Sequence, residues 1–498
     1  MRGELENETE EASGNMTTGP DEAEKTLRRA MDLIAEHLRV LNDPAAPVTD
    51  RLSPDQLADS MDLTLSEDGT ALEGLLPVIE SYLRHSVKTG SRKFLNQLFS
   101  GIDMAGVLGE IVTAVTNTSM YTYEVAPVAT VMEQDLVRRM ARIVGFHGGE
   151  GIFVNGGSNA NMVAILCARH RADTNIKDEG LRGLRLEAFV SDQAHYSFLT
   201  AANVLGIGAR SVVRIESDSL GRMVPEKLEE AMNRSRLAGR TPFFVAATAG
   251  TTVLGAFDPV REIADIAKRH GAWLHIDGAW GAPVLFSETH RELLAGHELA
   301  DSFAWDAHKL MGVPLLCTAL LVRDTGSLVS TCCPTEGTDY IYHDNPEESR
   351  DLGPMSLQCG RRVDVLKLWL AWKHNGEKGY ADRIDRLMKV TTAARERVDA
   401  EPSLEMMAEP TFLNLCFRYN PSGNADNATV DRLNIAIRDR LAASGDALVN
   451  YAYIGDRVTI RLVIAHPDLT KDDLDSLLEK IVALGKECES AMLAGSSS

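Results

Sequence analysis

Hydrophobic and polar positions change their spacing near residue 150, and this change divides the chain into two kinds of pattern. Before that point apolar residues recur three and four positions apart in Ala23–Leu41, Pro77–Leu83, Ala114–Met120 and Val128–Ile143. This spacing predicts amphipathic helices. Residues 21–115 are therefore predicted to form an N-terminal helical domain or arm.

After residue 150, short apolar runs alternate with helical patterns. Seven strands are predicted, at Gly151–Val154, Leu186–Val190, Ser211–Ile215, Phe243–Ala247, Ala272–Ile276, Ser302–Trp305 and Cys317–Val322. Between them lie amphipathic helices such as Ser158–Ala172 and Val260–Arg269, the second with Asp258-Pro259 as its predicted N-cap and Gly271 just after its end. Alternation of this kind predicts an α/β fold with a mostly parallel sheet covered by helices on both faces.

The last third of the chain predicts a second, smaller unit. Val363–Lys373 and Tyr380–Val398 have helical spacing, and Val458–Ala465 is an apolar strand with a single charge, Arg461. We therefore expect a large domain at 116–380 and a small C-terminal α/β domain at 381–498.

Composition narrows the classes of protein that the chain can belong to. Of its 498 residues 44% are hydrophobic, which supports large folded cores, and its net charge is −21. A strongly acidic chain is not expected to bind nucleic acid or an anionic membrane. Residues 1–20 are acidic and unpatterned and are predicted to be a disordered tail.

Cysteine usage and hydropathy indicate the compartment. The seven cysteines contain no C-x-x-C pair, which indicates reduced thiols and a cytoplasmic protein. The N-terminus lacks the apolar core of a signal peptide, and no apolar run has membrane-spanning length.

Chemistry-bearing side chains follow the predicted strands. Lys309, with His308 beside it, follows one strand, and Asp277 ends the strand before it. The turn Asn155–Ala160 joins a strand to a helix N-terminus, which suits a phosphate group. The carboxyl ends of parallel strands share one edge of the sheet, where ligands bind. A lysine, a carboxylate and a phosphate turn at one edge are what pyridoxal 5'-phosphate (PLP) requires, since the lysine forms a Schiff base and the carboxylate keeps the ring nitrogen protonated.

Two further strand-end residues fit a planar cofactor. The ring of His195 could stack on it, and Thr248 supplies a hydroxyl. Each feature also has a plain structural reading: a lone histidine is more often structural, and Asp277 could cap a helix. A metal site is not expected, because no partner is spaced to complete a ligand set around Asp277.

The chain resembles the glutamate, cysteine-sulfinate and aspartate decarboxylase branch of the group II PLP-dependent amino-acid decarboxylases. The matching stretches are Phe94–Gly101, Thr116–Pro127, Ala247–Pro259, Asp277–Gly281, His308–Gly312 and Gln358–Arg361. The resemblance covers nearly everything after residue 75. It implies the aspartate-aminotransferase type of fold (PLP fold type I) and a homodimer with active sites at the subunit interface.

The resemblance also implies roles for individual residues. Lys309 would be the Schiff-base lysine, Asp277 the partner of the ring nitrogen, and His195 the residue that stacks on the ring. The cofactor-binding residues it implies are Gly157, Ser158, Asn159, His195, Thr248, Asp277, Ala279, His308 and Lys309. Arg461 matches an arginine that binds a substrate carboxylate, although a structural salt bridge is the alternative.

The substrate is expected to be a small acidic L-amino acid. Gln97, Phe99, Ser119 and Tyr121 lie in the stretches that vary between branches, and here those stretches are closer to cysteine-sulfinate decarboxylases than to glutamate decarboxylases. Phe99 replaces a smaller residue and should reshape the pocket. Aspartate or cysteine sulfinate is therefore favoured; the alternatives are glutamate decarboxylation to GABA, or another fold type I enzyme such as an aminotransferase.

Two departures from the resemblance concern the reacting centre. The family often has Asn-Pro before His-Lys, where this chain has Asp306-Ala307. The mobile-loop tyrosine that reprotonates Cα in the family lies in a sequence context that is missing here. Tyr340, Tyr342 or His343 could take its place.

Overall fold

Seven strands form one sheet, and all of them lie where the apolar runs predict them. They are β1 (Glu150–Val154), β2 (Leu186–Ser191), β3 (Val212–Ile215), β4 (Thr241–Thr248), β5 (Trp273–Asp277), β6 (Ser302–Asp306) and β7 (Thr318–Val322). Their order across the sheet is β1-β7-β6-β5-β4-β2-β3. Every pairing from β6 to β3 is parallel, and β7 runs antiparallel to both β6 and β1. The mostly parallel α/β sheet predicted from the sequence is thus confirmed.

The structure is a computed structural model, and it describes residues 19–65, 67–342, 350–421 and 426–495. Most of the predicted acidic tail lies outside the described residues. The chain forms two compact units, one of Met1–Phe94 with Asp439–Leu448 and the other of Leu95–Arg438 with Val449–Ser498. The division at residues 115 and 380 stays a prediction.

Helices flank the strands along the chain. They are α1 (Pro20–Leu41), α2 (Pro54–Ser60), α3 (Leu76–His85), α4 (Met104–Thr116), α5 (Pro127–Ile143), α6 (Gly157–Ala172), α7 (Ile176–Glu179), α8 (Ser197–Val204), α9 (Pro225–Leu237), α10 (Val260–His270), α11 (Ser327–Cys332), α12 (Asp364–Asp399), α13 (Asn427–Ser444) and α14 (Lys471–Gly495). Short 3₁₀ turns occur at Leu72–Leu75, Ala209–Ser211, Ala282–Phe286, Arg291–Leu294, His297–Leu299 and Gly353–Met355.

Two local predictions are wrong. The helix expected over Ala114–Met120 is instead the end of α4, because Asn117 adopts a left-handed conformation (φ 44°) that ends the helix. Asp258 does not cap α10, whose N-cap is Pro259. Its buried carboxylate instead accepts the main-chain N–H groups of Met223 and Thr248, each at 2.7 Å, and so ties two loops to β4.

A second, four-stranded sheet forms the small C-terminal α/β region. Its strands are β8 (Leu404–Met406), β9 (Asn414–Tyr419), β10 (Asn450–Ile454) and β11 (Arg457–Val463), in the antiparallel order β10-β11-β9-β8. The two helices predicted before it are joined as α12, which bends at Gly376 (φ 67°). No helix in the described ranges combines the length and apolarity needed to cross a membrane.

Candidate active site

A cavity of about 320 Å³ lies at the edge of the large sheet where β1, β4, β5 and β6 end. Its lining comes from the ends of those strands, the turns that follow them and the start of α6, together with Leu98 and with His195 and Tyr196 from the turn after β2. The lining residues are Leu98, Asn155, Gly156, Gly157, Ser158, Asn161, His195, Tyr196, Thr248, Gly250, Thr252, Asp277, Ala279, Trp280, Asp306, His308, Lys309 and Leu316. The position agrees with the expectation that ligands bind at the carboxyl ends of parallel strands.

Most residues predicted to bind a cofactor meet in this cavity. Gly157, Ser158, His195, Thr248, Asp277, Ala279, His308 and Lys309 all line it. Asn159 lies on the first turn of α6 but is not among the lining residues. The structure therefore brings together strand-end groups that the sequence separates by up to 152 positions (309 − 157).

Lys309 is held by a carboxylate. Its Nζ atom lies 3.0 Å from Oδ2 of Asp306, whose side chain is almost completely buried. Oδ1 of Asp306 accepts the hydroxyl hydrogen of Thr318 at 2.6 Å, and Thr318 is the partner of Asp306 in the β6–β7 pairing. The departure from the family's asparagine at position 306 thus places a negative charge directly against the lysine.

Asp277 has different neighbours. Its Oδ2 atom accepts an N–H of the Asn161 side chain at 2.8 Å, and its Oδ1 atom accepts the main-chain N–H of Ala279 at 3.2 Å. The described residues offer no cation within 4 Å of this carboxylate. Asp277 is nevertheless buried, with 6% of its surface exposed.

The histidines around the cavity are neutral near pH 7. Burial lowers the pKa of His195, and the nearby Asp277 carboxylate opposes this shift only in part. Burial also lowers the pKa of His308. The pKa of His275, which lies two residues before Asp277 on β5, is lowered to about 4 by complete burial. His195 and His308 therefore present neutral rings to the cavity, whereas His275 does not line it.

The start of α6 offers free hydrogen-bond donors to the cavity. The helix begins at Gly157 without a side-chain cap, so the main-chain N–H groups of Gly157 and Ser158 are left for a ligand, whereas that of Asn159 donates to the main-chain oxygen of Gly156 at 3.0 Å. A Cβ atom at Gly157 would lie 2.9 Å from Oδ2 of Asp306, which explains why glycine is needed where the turn passes β6.

Arg461 is buried without a carboxylate partner. Its Nη1 atom donates to the main-chain oxygen of Thr252 at 3.0 Å and its Nη2 atom to that of Asn96 at 2.6 Å. Its Nε–H is buried and unpaired, and no described carboxylate forms an ion pair with the guanidinium. The structural salt bridge that the sequence left open is thus not found among the described residues.

The other predicted substrate residues do not line the cavity of the single chain. Gln97 is exposed and donates to the Asn96 side chain at 3.0 Å, and Ser119 accepts the main-chain N–H of Arg361 at 3.1 Å. Phe99 and Tyr121 are half-buried, and their neighbour Leu98 is the residue of this region that contacts the cavity.

The loop predicted to supply a proton to Cα is described only in part. His343 lies outside the described residues. Tyr340 is 78% exposed, and burial raises the pKa of Tyr342 to about 12. Neither tyrosine is among the residues that line the cavity.

The residues present fit PLP. The lysine for its aldehyde, a carboxylate without a protein cation, and an uncapped helix start for its phosphate surround one cavity. The buried hydroxyl of Thr248 also has no hydrogen-bond partner, which is a cost that a polar ligand would remove. Among the described residues no cluster of His, Cys, Asp or Glu has the arrangement of a metal site.

Fold and site together define a PLP-dependent enzyme of fold type I. The family model described as the pyridoxal-dependent decarboxylase conserved domain matches residues 54–420. The chain belongs to this family, and it is a PLP-dependent amino-acid decarboxylase.

Individual relatives agree with this assignment. The chain is 39% identical over 480 residues to cysteine sulfinic acid decarboxylase from Rattus norvegicus, covering 94% of this chain and 97% of the relative. It is 37% identical over 476 residues to the acidic amino acid decarboxylase GADL1 from Mus musculus, covering 93% and 86%. A crystal structure of mouse CSAD superposes with a TM-score of 0.90 at 38% identity, covering 94% and 99% of the two chains.

Sequence reasoning missed Asn161, the amide that contacts Asp277. Its signal was available, because Asn161 is a polar residue on the otherwise apolar buried face of α6, and buried amides need partners. His275 could have been found in the same way, since positions 275 and 277 of a strand point to the same face.

Proposed function

We propose that this enzyme removes the α-carboxylate of a small acidic L-amino acid, aspartate or cysteine sulfinate, to give β-alanine or hypotaurine. The relatives support the acidic class, since their names specify cysteine sulfinic acid or acidic amino acids. Glutamate is the second candidate, and one methylene is worth only about 1–3 kcal/mol in a pocket, so some overlap is expected.

The observation that carries this proposal is that the buried guanidinium of Arg461 has no carboxylate partner among the described residues. A buried guanidinium without a carboxylate is costly, and here two main-chain oxygens are its partners. One of them belongs to Thr252, which lines the cavity. The acidic side chain of a substrate would complete this site as a charge-assisted partner.

Lys309 and Asp277 are the residues we assign to the cofactor's reactive atoms. Bound PLP supplies an electron sink for the electron pair that remains at Cα when CO2 leaves. Lys309 would hold the cofactor through its aldehyde carbon, and Asp306 would hold Nζ of the lysine in place. The ionised Asp277 would keep a proton on the ring nitrogen.

The remaining contacts would fix the plane of the ring. His195 would cover one face of the ring and Ala279 the other, while the Thr248 hydroxyl would donate to a ring substituent. The phosphate would accept from the first turn of α6, at Gly157, Ser158 and Asn159, with His308 nearby. These residues exclude water around Cα and orient the bond that breaks.

We infer that the active enzyme is a homodimer. On α4, Met104, Leu108, Val112 and Val115 follow one another at helical spacing and are 46%, 56%, 46% and 77% exposed in the single chain. An apolar stripe of this kind is unfavourable in water and is typical of a subunit interface. Gln97, Phe99, Ser119 and Tyr121, which do not line the cavity here, would then contribute from the interface, and Tyr340 or Tyr342 could supply the proton for Cα.

The scattered thiols support a reducing compartment, the cytoplasm. All seven cysteines lie in the described part of the chain and none is in a disulfide.

A substrate panel with an Arg461 variant tests the proposal. We expect the kcat/KM of the wild-type protein to be higher for aspartate or cysteine sulfinate than for glutamate. Arg461→Met should lower kcat/KM for every acidic substrate by about 100-fold or more, because a charge-assisted pair is lost. PLP binding should be unchanged.

Arg418→Met is the matched control, since Arg418 is an equally buried arginine whose partner is Glu405, at 2.8 Å. It should retain substrate preference. If Arg461→Met keeps full kcat/KM on acidic substrates, the carboxylate-binding role is wrong, and a clear preference of the wild type for glutamate would replace the substrate proposed.

A further inference from the structure

Asp277 lies at one end of a continuous chain of buried hydrogen bonds. Trp273, His275 and Asp277 occupy alternate positions of β5, so their side chains lie on one face of the sheet. Ser302 of β6 is the register partner of His275. Asn161 reaches the same face from α6, and all of these side chains are at most 6% exposed.

The hydrogen-bond chain ends, on the side away from Asp277, at the indole of Trp273, which can only donate a hydrogen bond. The indole N–H of Trp273 donates to Oγ of Ser302 at 2.7 Å, and an indole has no acceptor. Nδ1 of His275 lies 2.8 Å from the same oxygen, and no other described acceptor is within hydrogen-bond distance of the Ser302 hydroxyl. The hydroxyl hydrogen is therefore donated to Nδ1 of His275.

The donor at Ser302 in turn determines which atoms donate and accept at the imidazole of His275 and the amide of Asn161. Burial lowers the pKa of His275 to about 4, so the ring is neutral and carries one proton. Because Nδ1 accepts from Ser302, this proton is on Nε2. Nε2–H donates to Oδ1 of Asn161 at 2.9 Å. With its oxygen occupied, Asn161 presents its NH₂ group to Oδ2 of Asp277 at 2.8 Å and to Oγ of Ser197 at 3.0 Å.

Exchanging donors and acceptors along this hydrogen-bond chain would be unfavourable at both of its ends. A reversed Asn161 would place its oxygen against Asp277 at 2.8 Å, which requires that the carboxyl group be protonated. The Ser302 hydroxyl would also have to accept from both rings and would lose its own acceptor. The arrangement therefore presents an N–H donor, and not an acceptor, to Oδ2 of Asp277.

We propose that Trp273, Ser302, His275 and Asn161 are positioning residues that fix an N–H donor against Asp277 and orient its carboxylate toward the ring nitrogen of PLP, and so strengthen cofactor binding through that one atom. This inference rests on the role proposed above for Asp277. It assigns a function to residues that are up to four hydrogen bonds away from the carboxylate.

An analogue of PLP in which CH replaces the ring nitrogen isolates this contact. Apo-enzyme is titrated with PLP and with the analogue by equilibrium dialysis. The dissociation constant of the analogue is divided by that of PLP, and this ratio is compared among variants. Asn161→Leu should weaken PLP binding by about 10- to 100-fold, as expected for a hydrogen bond to a charged group. Its affinity for the analogue should stay within about threefold of wild type.

Trp273→Phe is the second variant, because it removes only the distant N–H and keeps a ring for the guanidinium of Arg171, which lies 4.6 Å from the indole centroid. It should lower the ratio in the same direction by about threefold, since the chain then loses its fixed direction. If Asn161→Leu does not fold, this variant alone decides the inference.

Asn434→Leu is the matched control, since Asn434 is a fully buried amide that bonds the main chain of Tyr419. It should leave the ratio unchanged. Equal losses for PLP and the analogue in Asn161→Leu, or an unchanged ratio in Trp273→Phe, would overturn the inference. Equal affinity of the wild type for both ligands would instead refute the role of Asp277 itself.

Discussion

Two buried carboxylates end neighbouring strands and line the same cavity, yet they have opposite partners. Asp306 at the end of β6 lies 3.0 Å from the ammonium group of Lys309. Asp277 at the end of β5 receives only neutral donors, from Asn161 and a main-chain N–H. One carboxylate has a cation as its partner, and the other has none among the described residues.

The difference shows how one cavity can hold two anions for separate tasks. A buried charge must be compensated by a cation or by hydrogen bonds to its ionised form. Asp306 uses a cation and thereby holds the lysine. Asp277 uses hydrogen bonds, and the partner proposed for it is the protonated ring nitrogen of the cofactor.

The largest effect on activity is expected when Asp277, the carboxylate without a cation partner, is replaced by a neutral residue. Asp277→Asn keeps the shape but leaves the ring nitrogen without an anion, so kcat should fall by about 100- to 1000-fold. Decarboxylation assays on PLP-loaded protein measure this. A variant that retains more than about a tenth of wild-type kcat would show that the two carboxylates do not differ in the way proposed.

The hydrogen-bond chain that supports Asp277 should leave a signature in the pH dependence of stability. The pKa of His275 falls from 6.5 to about 4 on burial, so below pH 6.5 the unfolded chain binds a proton that the folded chain does not. The free energy of unfolding should therefore fall by about 1.4 kcal/mol per pH unit as the pH drops from 6.5, reaching a loss of about 3 kcal/mol near pH 4.

Urea unfolding of apo-enzyme at fixed protein concentration measures this slope. His275→Gln lacks the titrating group but can still hydrogen-bond, so its stability should fall less steeply over the same range. The other buried histidines are present in both proteins and cancel in the comparison. Identical slopes would show that His275 does not stay neutral in the folded state.

Lys309 and Asp277 were predictable from sequence because strand ends are visible as apolar runs followed by polar residues. What binds each of them was not, because Asn161 approaches from a helix 116 positions away in sequence from Asp277. Thr318 contacts Asp306 only because β7 pairs antiparallel with β6, and nothing in the apolar pattern specifies that direction. The site's composition was thus readable, and its charge arrangement required the fold.

Removing the charge of the paired carboxylate should have a smaller effect, of a different kind. Asp306→Asn keeps the Thr318 hydrogen bond but removes the ion pair that holds Nζ of Lys309 at 3.0 Å. Without this ion pair the Nζ atom is less restrained, so capture of PLP by apo-enzyme should be faster by about tenfold.

Stopped-flow absorbance after mixing apo-enzyme with PLP measures the rate of capture. Asp277→Asn serves as the opposite case, because it should leave this rate close to that of the wild type. Slower capture by Asp306→Asn would mean that the carboxylate assists the lysine rather than restraining it.

The smallest effect is expected from Thr318, which contacts Asp306 but not the lysine. Thr318→Val preserves the shape and removes the hydroxyl that donates to Oδ1 at 2.6 Å. The carboxylate then shares its charge with one donor fewer and holds the ammonium group more strongly, so PLP capture should slow by about threefold. Thr391→Val, which removes a buried hydroxyl that bonds a carbonyl within α12 at 2.9 Å, is the control and should leave the rate unchanged. Because Asp306→Asn and Thr318→Val alter the same carboxylate but should change the rate in opposite directions, a general loosening of the site could not produce both results.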